Sequence, residues 1–338
     1  MKEAMFWEKA EEQRVRCGLC RFRCLIVEGQ RGICGVRENR GGVLYTLVYG
    51  QSVAENSDPI EKKPLFHFHP GSLSFSVATV GCNFRCLHCQ NYQISQVPRD
   101  YRQALAGHPL SPQDIVRRAR ESGCRSIAYT YTEPTIFFEY AYDTAVLAHR
   151  EGLKNVFVTN GYTTPEALGA IAPFLDAANV DLKGFSEQFY REVVGATLDG
   201  VLETLREYHR LGIWLEVTTL LIPGRNDRAG ELRKLAAFIA DELGADTPWH
   251  VTAFYPTYKL MDVPPTPPET LHKARKIGHE AGLRYVYTGN IPGEQGESTF
   301  CPGCGDRVIE RRGFRLGRMS LEQGRCKACA TLIAGVGL

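Results

Sequence analysis

The chain has 338 residues, 43% of them hydrophobic, and its 40 basic and 38 acidic residues leave a formal charge of +2. That is enough apolar material for one large barrel or two to three smaller units, and the balanced charge gives no bulk argument for nucleic acid or an anionic membrane. No apolar run approaches the ~18 residues of a membrane span, and the start MKEAMFWEKAEEQRVRC lacks a signal-peptide core, so a cytoplasmic protein without a membrane role is expected.

Twelve cysteines are clustered rather than scattered. In a long cytoplasmic protein, pairs spaced C-x2-C read as metal ligands rather than disulfides. Residues 1–70 form a first, cysteine-rich region. Its C-x2-C-x3-C-x9-C set, Cys17, Cys20, Cys24 and Cys34, closes a four-thiolate shell, structural in character. Zinc, which would act as a staple, and a second cluster, which would act as an electron relay, both remain open for it. A strand-like GVLYTLVYG follows. In LFHFHPG, alternation puts His67 and His69 on one side of a strand, where both read as structural.

Residues 71–295 alternate strands and helices. Apolar, β-branched or aromatic runs fall at 73–80, 125–131, 154–159, 178–182, 213–221, 249–254 and 283–287. Ser111-Pro112, Thr164-Pro165 and Pro268-Glu269 supply helix starts between them. Such alternation predicts a parallel sheet with right-handed crossovers, and six or seven units suit a full or partial (β/α) barrel. In that architecture the chemistry gathers at the C-terminal ends of strands. There stand the triplet Cys82, Cys86, Cys89, then Thr132-Glu133-Pro134, Asn160-Gly161, Asp181 and Lys183, Pro223-Gly224, Tyr255 and Tyr258, and Gly289-Asn290. Cys124, alone beside Gly123 at a helix end, reads as a small buried residue. Residues 296–338 return to cysteine pairs. Cys301, Cys304, Cys326 and Cys329 have zinc-ribbon spacing, with 21 residues between the pairs.

Three thiolates at C-x3-C-x2-C on one glycine-led loop can each bind one iron of a cubane and leave the fourth iron open, which suits catalysis. His88 could complete a zinc site only by folding back against its neighbour Cys89. The loop, placed after the first strand of a β/α barrel, resembles that of the radical S-adenosylmethionine (SAM) superfamily. The resemblance implies a [4Fe-4S] cluster on Cys82, Cys86 and Cys89, whose free iron binds SAM. It also implies one-electron cleavage of SAM to a 5′-deoxyadenosyl radical that abstracts hydrogen. By the same resemblance Thr132 and Glu133 fill the last two places of a Gly-Gly-Glu motif, with Glu133 accepting from the SAM ammonium. VTNG and DLKG resemble glycyl-radical activating enzymes and suggest Asn160, Asp181 and Lys183 around the carboxylate or ribose. Val158 stands where those activases often carry aspartate, a departure that bears on a monovalent-cation site. LLIPGRND makes Leu221, Ile222 and Gly224 wall residues near adenine.

The order of blocks along the whole sequence, RC-x2-C-x3-C, DPIEKKPLFHF-x-PG, TVGCNFRC-x2-CQN, DVPPTP and GN-x-PG, resembles the radical SAM enzyme of the AmmeMemoRadiSam system, within the pyruvate formate-lyase activating-enzyme-like group. That resemblance implies AMMECR-type and Memo-type partners and an electron donor such as flavodoxin or ferredoxin. The expectation is an oxygen-sensitive enzyme acting on a protein or small molecule. A glycyl-radical activase is the alternative within the class, and a metal-stapled binding protein with an inactive barrel the alternative outside it. Substrate, product and oligomeric state are not encoded in any motif.

Overall fold

A computed structural model describes residues 1–100, 105, 107–291 and 296–338. The Pro292-Gly293 end of the GN-x-PG block lies outside the described residues. The protein forms two compact units, each from three segments: 1–58, 73–177 and 200–213 in the first, and 59–72, 178–199 and 214–338 in the second. Among the described residues no helix is long and apolar enough to cross a membrane.

In the first unit the strands Ala54–Pro59, Leu73–Ala78, Ser126–Tyr129 and Lys154–Thr159 are neighbours in that order. Ser126 pairs in parallel with Ser74 on one side and Lys154 on the other. Ser126–Tyr129 is buried at every position, so the run shows no alternation of apolar and charged residues. Its helices begin where the sequence marks them. Ser111 Oγ accepts the Asp114 N–H at 3.1 Å to cap Pro112–Glu121, and Thr164 caps Pro165–Ile171. Ahead of the sheet, Arg37–Arg40 and Val43–Thr46 form a hairpin joined by Lys2–Glu3, while Trp7–Lys9, Val15–Cys17 and Leu25–Ile26 form a second small sheet. Cys124 is buried after Gly123, which takes the left-handed φ of +66°.

In the second unit Trp214–Leu221, Trp249–Ala253 and Val286–Gly289 run in parallel register, with Ala177–Asp181 beside the first of them. Pro268–Glu280 is the helix that leads into Val286–Gly289. Thr266, from the proline-dense stretch, donates to Leu221 O at 2.6 Å and accepts from the Phe254 N–H at 2.8 Å, so it fastens two strand ends. The terminal module is a three-stranded antiparallel ribbon of Thr299–Phe300, Arg307–Arg312 and Arg315–Met319, with the short pair Leu321–Glu322 and Arg325–Cys326.

The LFHFHPG segment is not a strand. Phe68 makes a single bridge to Val336, and His69 adopts a left-handed φ of +44°. Pro64 precedes the segment and Pro70 lies within it, and proline cannot donate to a sheet ladder. His67 is nonetheless structural as expected, fully buried in a polar knot. Its Nδ1 lies 2.6 Å from Ala334 O and its Nε2 2.5 Å from the Tyr287 hydroxyl. Glu216 accepts the backbone N–H groups of Phe66 and His67 at 2.9 and 2.8 Å and pairs with His250 at 2.7 Å. Arg311 donates to Phe66 O at 2.6 Å and Thr299 Oγ1 at 2.7 Å, tying the ribbon into the same knot.

Candidate functional site

The triplet loop begins at Gly81, whose φ of +104° is a left-handed value that favours glycine. A Cβ there would stand 2.7 Å from Val36 Cγ1 and 3.2 Å from Cys34 O, so space as well as conformation demands glycine. The Gly81 N–H donates to Ile94 O at 2.9 Å and closes the loop onto the short helix Tyr92–Ser95. Cys82 Sγ receives the Phe84 N–H at 3.4 Å, and Cys89 Sγ lies 3.1 Å from Ser95 Oγ. Cys86 is buried. At the far end of the loop, Asn91 Nδ2 donates at 2.8 Å to Tyr131 O. Tyr131 has the left-handed φ of +63°, and its hydroxyl donates to Asp58 at 2.5 Å.

Burial pushes the Cys82 thiol well up, and Glu133, Cys86 and Cys89 push it further. Three thiolates beside a carboxylate are mutually repulsive unless a cationic centre sits among them. This donor set fits a metal cluster and suits little else.

Glu133 is 1% exposed and is surrounded by donors. Its Oε1 accepts from the Thr135 N–H at 3.0 Å, Thr135 Oγ1 at 2.6 Å and Thr159 Oγ1 at 2.7 Å, and its Oε2 accepts from the Asn160 N–H at 2.8 Å. Burial raises its pKa, and these hydrogen bonds oppose the rise. The carboxylate therefore caps the turn opened by Pro134 and locks the end of Lys154–Thr159 in place. One acceptor position on Oε2 remains for a further donor. Thr132 is buried and donates to Thr79 O at 2.8 Å. The Asn160 amide reaches Asn83 Oδ1 at 2.7 Å and lies 3.7 Å from Cys82 Sγ, while its Oδ1 accepts the Tyr162 N–H at 3.1 Å. Cys82, Glu133 and Asn160 are thus brought together in the first unit.

In the second unit Lys183 Nζ donates to Asp181 Oδ2 at 3.0 Å at the end of Ala177–Asp181. The loop after Trp214–Leu221 is organised by Asn226, buried at 1% exposure. Its amide donates to Lys183 O at 2.7 Å and Leu220 O at 2.8 Å and accepts the Ile222 N–H at 2.7 Å. Ile222 is buried, and Gly224 takes a left-handed φ of +73° while its N–H donates to Asp227 at 3.0 Å.

Among the described residues, Cys301, Cys304, Cys326 and Cys329 form the group of candidate metal ligands whose donor atoms all lie within 4.8 Å of one another. Two of their sulfur pairs are 3.5 and 3.8 Å apart. A tetrahedral ion with ~2.3 Å metal–sulfur bonds has sulfurs ~3.8 Å apart.

The superfamily profile for radical SAM proteins matches residues 76–236, the stretch that carries the triplet, Glu133, Asn160 and the Asn226 loop. The protein belongs to the radical SAM superfamily. Among its relatives is an uncharacterized protein of Methanocaldococcus jannaschii, 49% identical over 98% of this chain and 99% of that one. The pyruvate formate-lyase 1-activating enzyme of Escherichia coli is 20% identical, over 61% of this chain and 89% of that enzyme. A radical SAM methyltransferase from Sphaerobacter thermophilus shares the fold with a TM-score of 0.51 at 17% identity, over 66% of this chain and 67% of that one. The radical SAM fold, an α/β partial barrel, is therefore established, and with it comes the implication of a [4Fe-4S] cluster and SAM.

Three residues of this radical SAM protein have roles that the motifs did not reveal. Asn83 stands inside TVGCNFRC, Tyr131 immediately before Thr132 and Asn226 inside LLIPGRND, yet each acts through side-chain hydrogen bonds to residues far away in the sequence, for which spacing carries no signal. For Asn226 the asparagine within LLIPGRND was in view, but its role is visible only once both carbonyls it binds are placed.

Proposed function

We propose that this radical SAM enzyme cleaves SAM reductively and uses the 5′-deoxyadenosyl radical to abstract hydrogen from a protein or small-molecule substrate. The observation that carries the reading is the triplet loop: Cys82, Cys86 and Cys89 on a backbone clamped at Gly81 and Asn91, beside a buried carboxylate. Cys82, Cys86 and Cys89 would hold the [4Fe-4S] cluster, which when bound supplies the single electron. Glu133 would take the SAM ammonium on its remaining Oε2 acceptor position, with Thr132 at its side. Asn160 would fix Cys82 through Asn83 and border the SAM carboxylate or ribose. In the second unit, Asp181 and Lys183 are assigned to polar contacts with SAM, and Ile222 and Gly224 to the adenine wall. The burial of Cys86 and Glu133 supports exclusion of water from a reactive radical.

Cys301, Cys304, Cys326 and Cys329 are assigned to zinc because their spacing suits one tetrahedral ion. A flavodoxin- or ferredoxin-class protein is the proposed electron source, and AMMECR-type and Memo-type proteins are the proposed partners within an AmmeMemoRadiSam system. Activation of a glycyl-radical protein is a second reading, favoured by the distant likeness to the E. coli activase. The test is anaerobic reconstitution with reductant and SAM. 5′-Deoxyadenosine should form in the intact protein and be absent from a Cys86→Ala control, and equal traces in both would overturn the reading.

A further inference from the structure

The first unit holds a second set of four cysteines, and it touches the triplet loop directly. Cys34 O and Val36 Cγ1 are the atoms that leave no room for a Cβ on Gly81, the residue before Cys82. From the other side, Cys20 bridges to Thr163, and the Arg21 N–H is 3.4 Å from Tyr162 O. The Tyr162 ring lies between Phe22, with centroids 4.9 Å apart, and Phe84 of the triplet loop at 5.2 Å. Three rings in tilted and edge-on contact, Phe22, Tyr162 and Phe84, therefore link the C-x2-C-x3-C segment to the triplet loop.

One of the four sulfurs has a charged donor. Cys17 Sγ receives Arg37 Nη1 at 3.1 Å. Arg37 is 1% exposed and is held by Met5 O at 2.7 Å and by a buried ion pair with Glu139. A cation fixed on a ligand sulfur stabilises extra negative charge on the centre, which is how hydrogen bonds to sulfur tune a cluster's potential. The site therefore combines a charge-stabilised sulfur with direct packing on the triplet loop, which suits an electron relay.

We infer that Cys17, Cys20, Cys24 and Cys34 hold a second iron–sulfur cluster in electron-transfer contact with the triplet, not a second zinc. The inference rests on the proposed cluster at the triplet. A one-electron reductant of the flavodoxin or ferredoxin class lowers this second cluster by one oxidation level. The electron then passes to the triplet's cluster, which is lowered by one level as the first returns to its resting state.

The test uses the full-length protein, reconstituted anaerobically with iron and sulfide. The Cys82→Ala/Cys86→Ala/Cys89→Ala variant should keep about four irons and four sulfides per molecule, about half the intact protein's load, with zinc unchanged. Loss of all its iron, or a rise to two zincs, overturns the inference. In case that variant does not fold, the intact protein gives a second readout. Full reduction should yield an electron paramagnetic resonance spectrum broadened by coupling between two centres, and a spectrum of one isolated centre overturns the inference. Arg37→Met in the triplet variant should lower the midpoint potential of the remaining cluster, and Arg37→Lys should restore part of the shift; an unmoved potential overturns the role of Arg37. Iron in the triplet variant is measured without SAM, so a failure of SAM cleavage is distinguishable from a failure of this inference.

Discussion

Glu133 and Asn160 are joined backbone to carboxylate, with the Asn160 N–H 2.8 Å from Glu133 Oε2, while the Asn160 side chain grips Asn83 beside Cys82. One carboxylate thus fixes the residue that positions the first cysteine of the triplet. Glu133→Gln replaces an acceptor by a donor facing donors that already converge on the site. It should cost about 1 to 3 kcal/mol, measured as the urea midpoint of the metal-free protein. It should also weaken SAM binding in the reconstituted protein at least tenfold, whereas an unchanged affinity would remove Glu133 from the SAM site.

Gly81→Ala tests the packing of the triplet loop. The added methyl meets Val36 and Cys34 O in a left-handed conformation, a combination expected to cost about 1 to 3 kcal/mol. Iron incorporation at the triplet should fall with it, read as the iron-to-protein ratio after reconstitution. An alanine variant with full iron and unaltered stability would contradict the packing described.

Asn226→Ala strips two carbonyls and one N–H of their partner in a buried loop. The expected loss is about 2 to 4 kcal/mol. Under the proposed assignment of Ile222 and Gly224, on the same loop, to the adenine wall, the dissociation constant for SAM should rise about tenfold, measurable by calorimetry under nitrogen; an unchanged constant would remove that loop from the SAM site.

His67 gives a pH signature. Burial is the chief cause that brings its pKa down to about 4 from 6.5; Arg311 and His250 act in the same direction, and Glu216 opposes them. The unfolded imidazole therefore takes up a proton before the folded one. Its contribution to stability is complete above pH 6.5, declines as the pH falls, and is gone near pH 4. The linkage amounts to on the order of 3 kcal/mol. Trp214, stacked on His67 at 6.3 Å, reports it by fluorescence. His67→Asn should flatten the slope between pH 6.5 and 4, and an unaltered slope would assign the titration elsewhere.

The parallel strands and their helix starts were legible in the sequence because the strands are rich in apolar, β-branched and aromatic residues and because serine or threonine before proline has one good use, as at Ser111 and Thr164. The C-terminal cysteine set was legible from spacing alone, and its donor atoms do gather within 4.8 Å of one another. LFHFHPG misled because alternation mimics a strand wherever histidines and phenylalanines interleave. Its residues instead serve a polar knot built from Glu216, His250, Tyr287 and Arg311, which are far apart in the sequence. The contact of Cys34 with Gly81 was equally invisible, since it depends on how a hairpin folds back over a loop 47 residues on. Within the ribbon, Cys326 lies in a buried cluster with Phe66, Tyr285, Tyr287, Val308 and Ile309.

The central claim is that Cys82, Cys86 and Cys89 hold a cluster with one iron left for SAM. The most direct measurement is electron paramagnetic resonance of the reduced protein titrated with SAM, using the Cys82→Ala/Cys86→Ala/Cys89→Ala variant as the blank. The account predicts that SAM shifts a signal present in the intact protein and absent from the variant. A triplet signal indifferent to saturating SAM, or no signal assignable to the triplet, would contradict it.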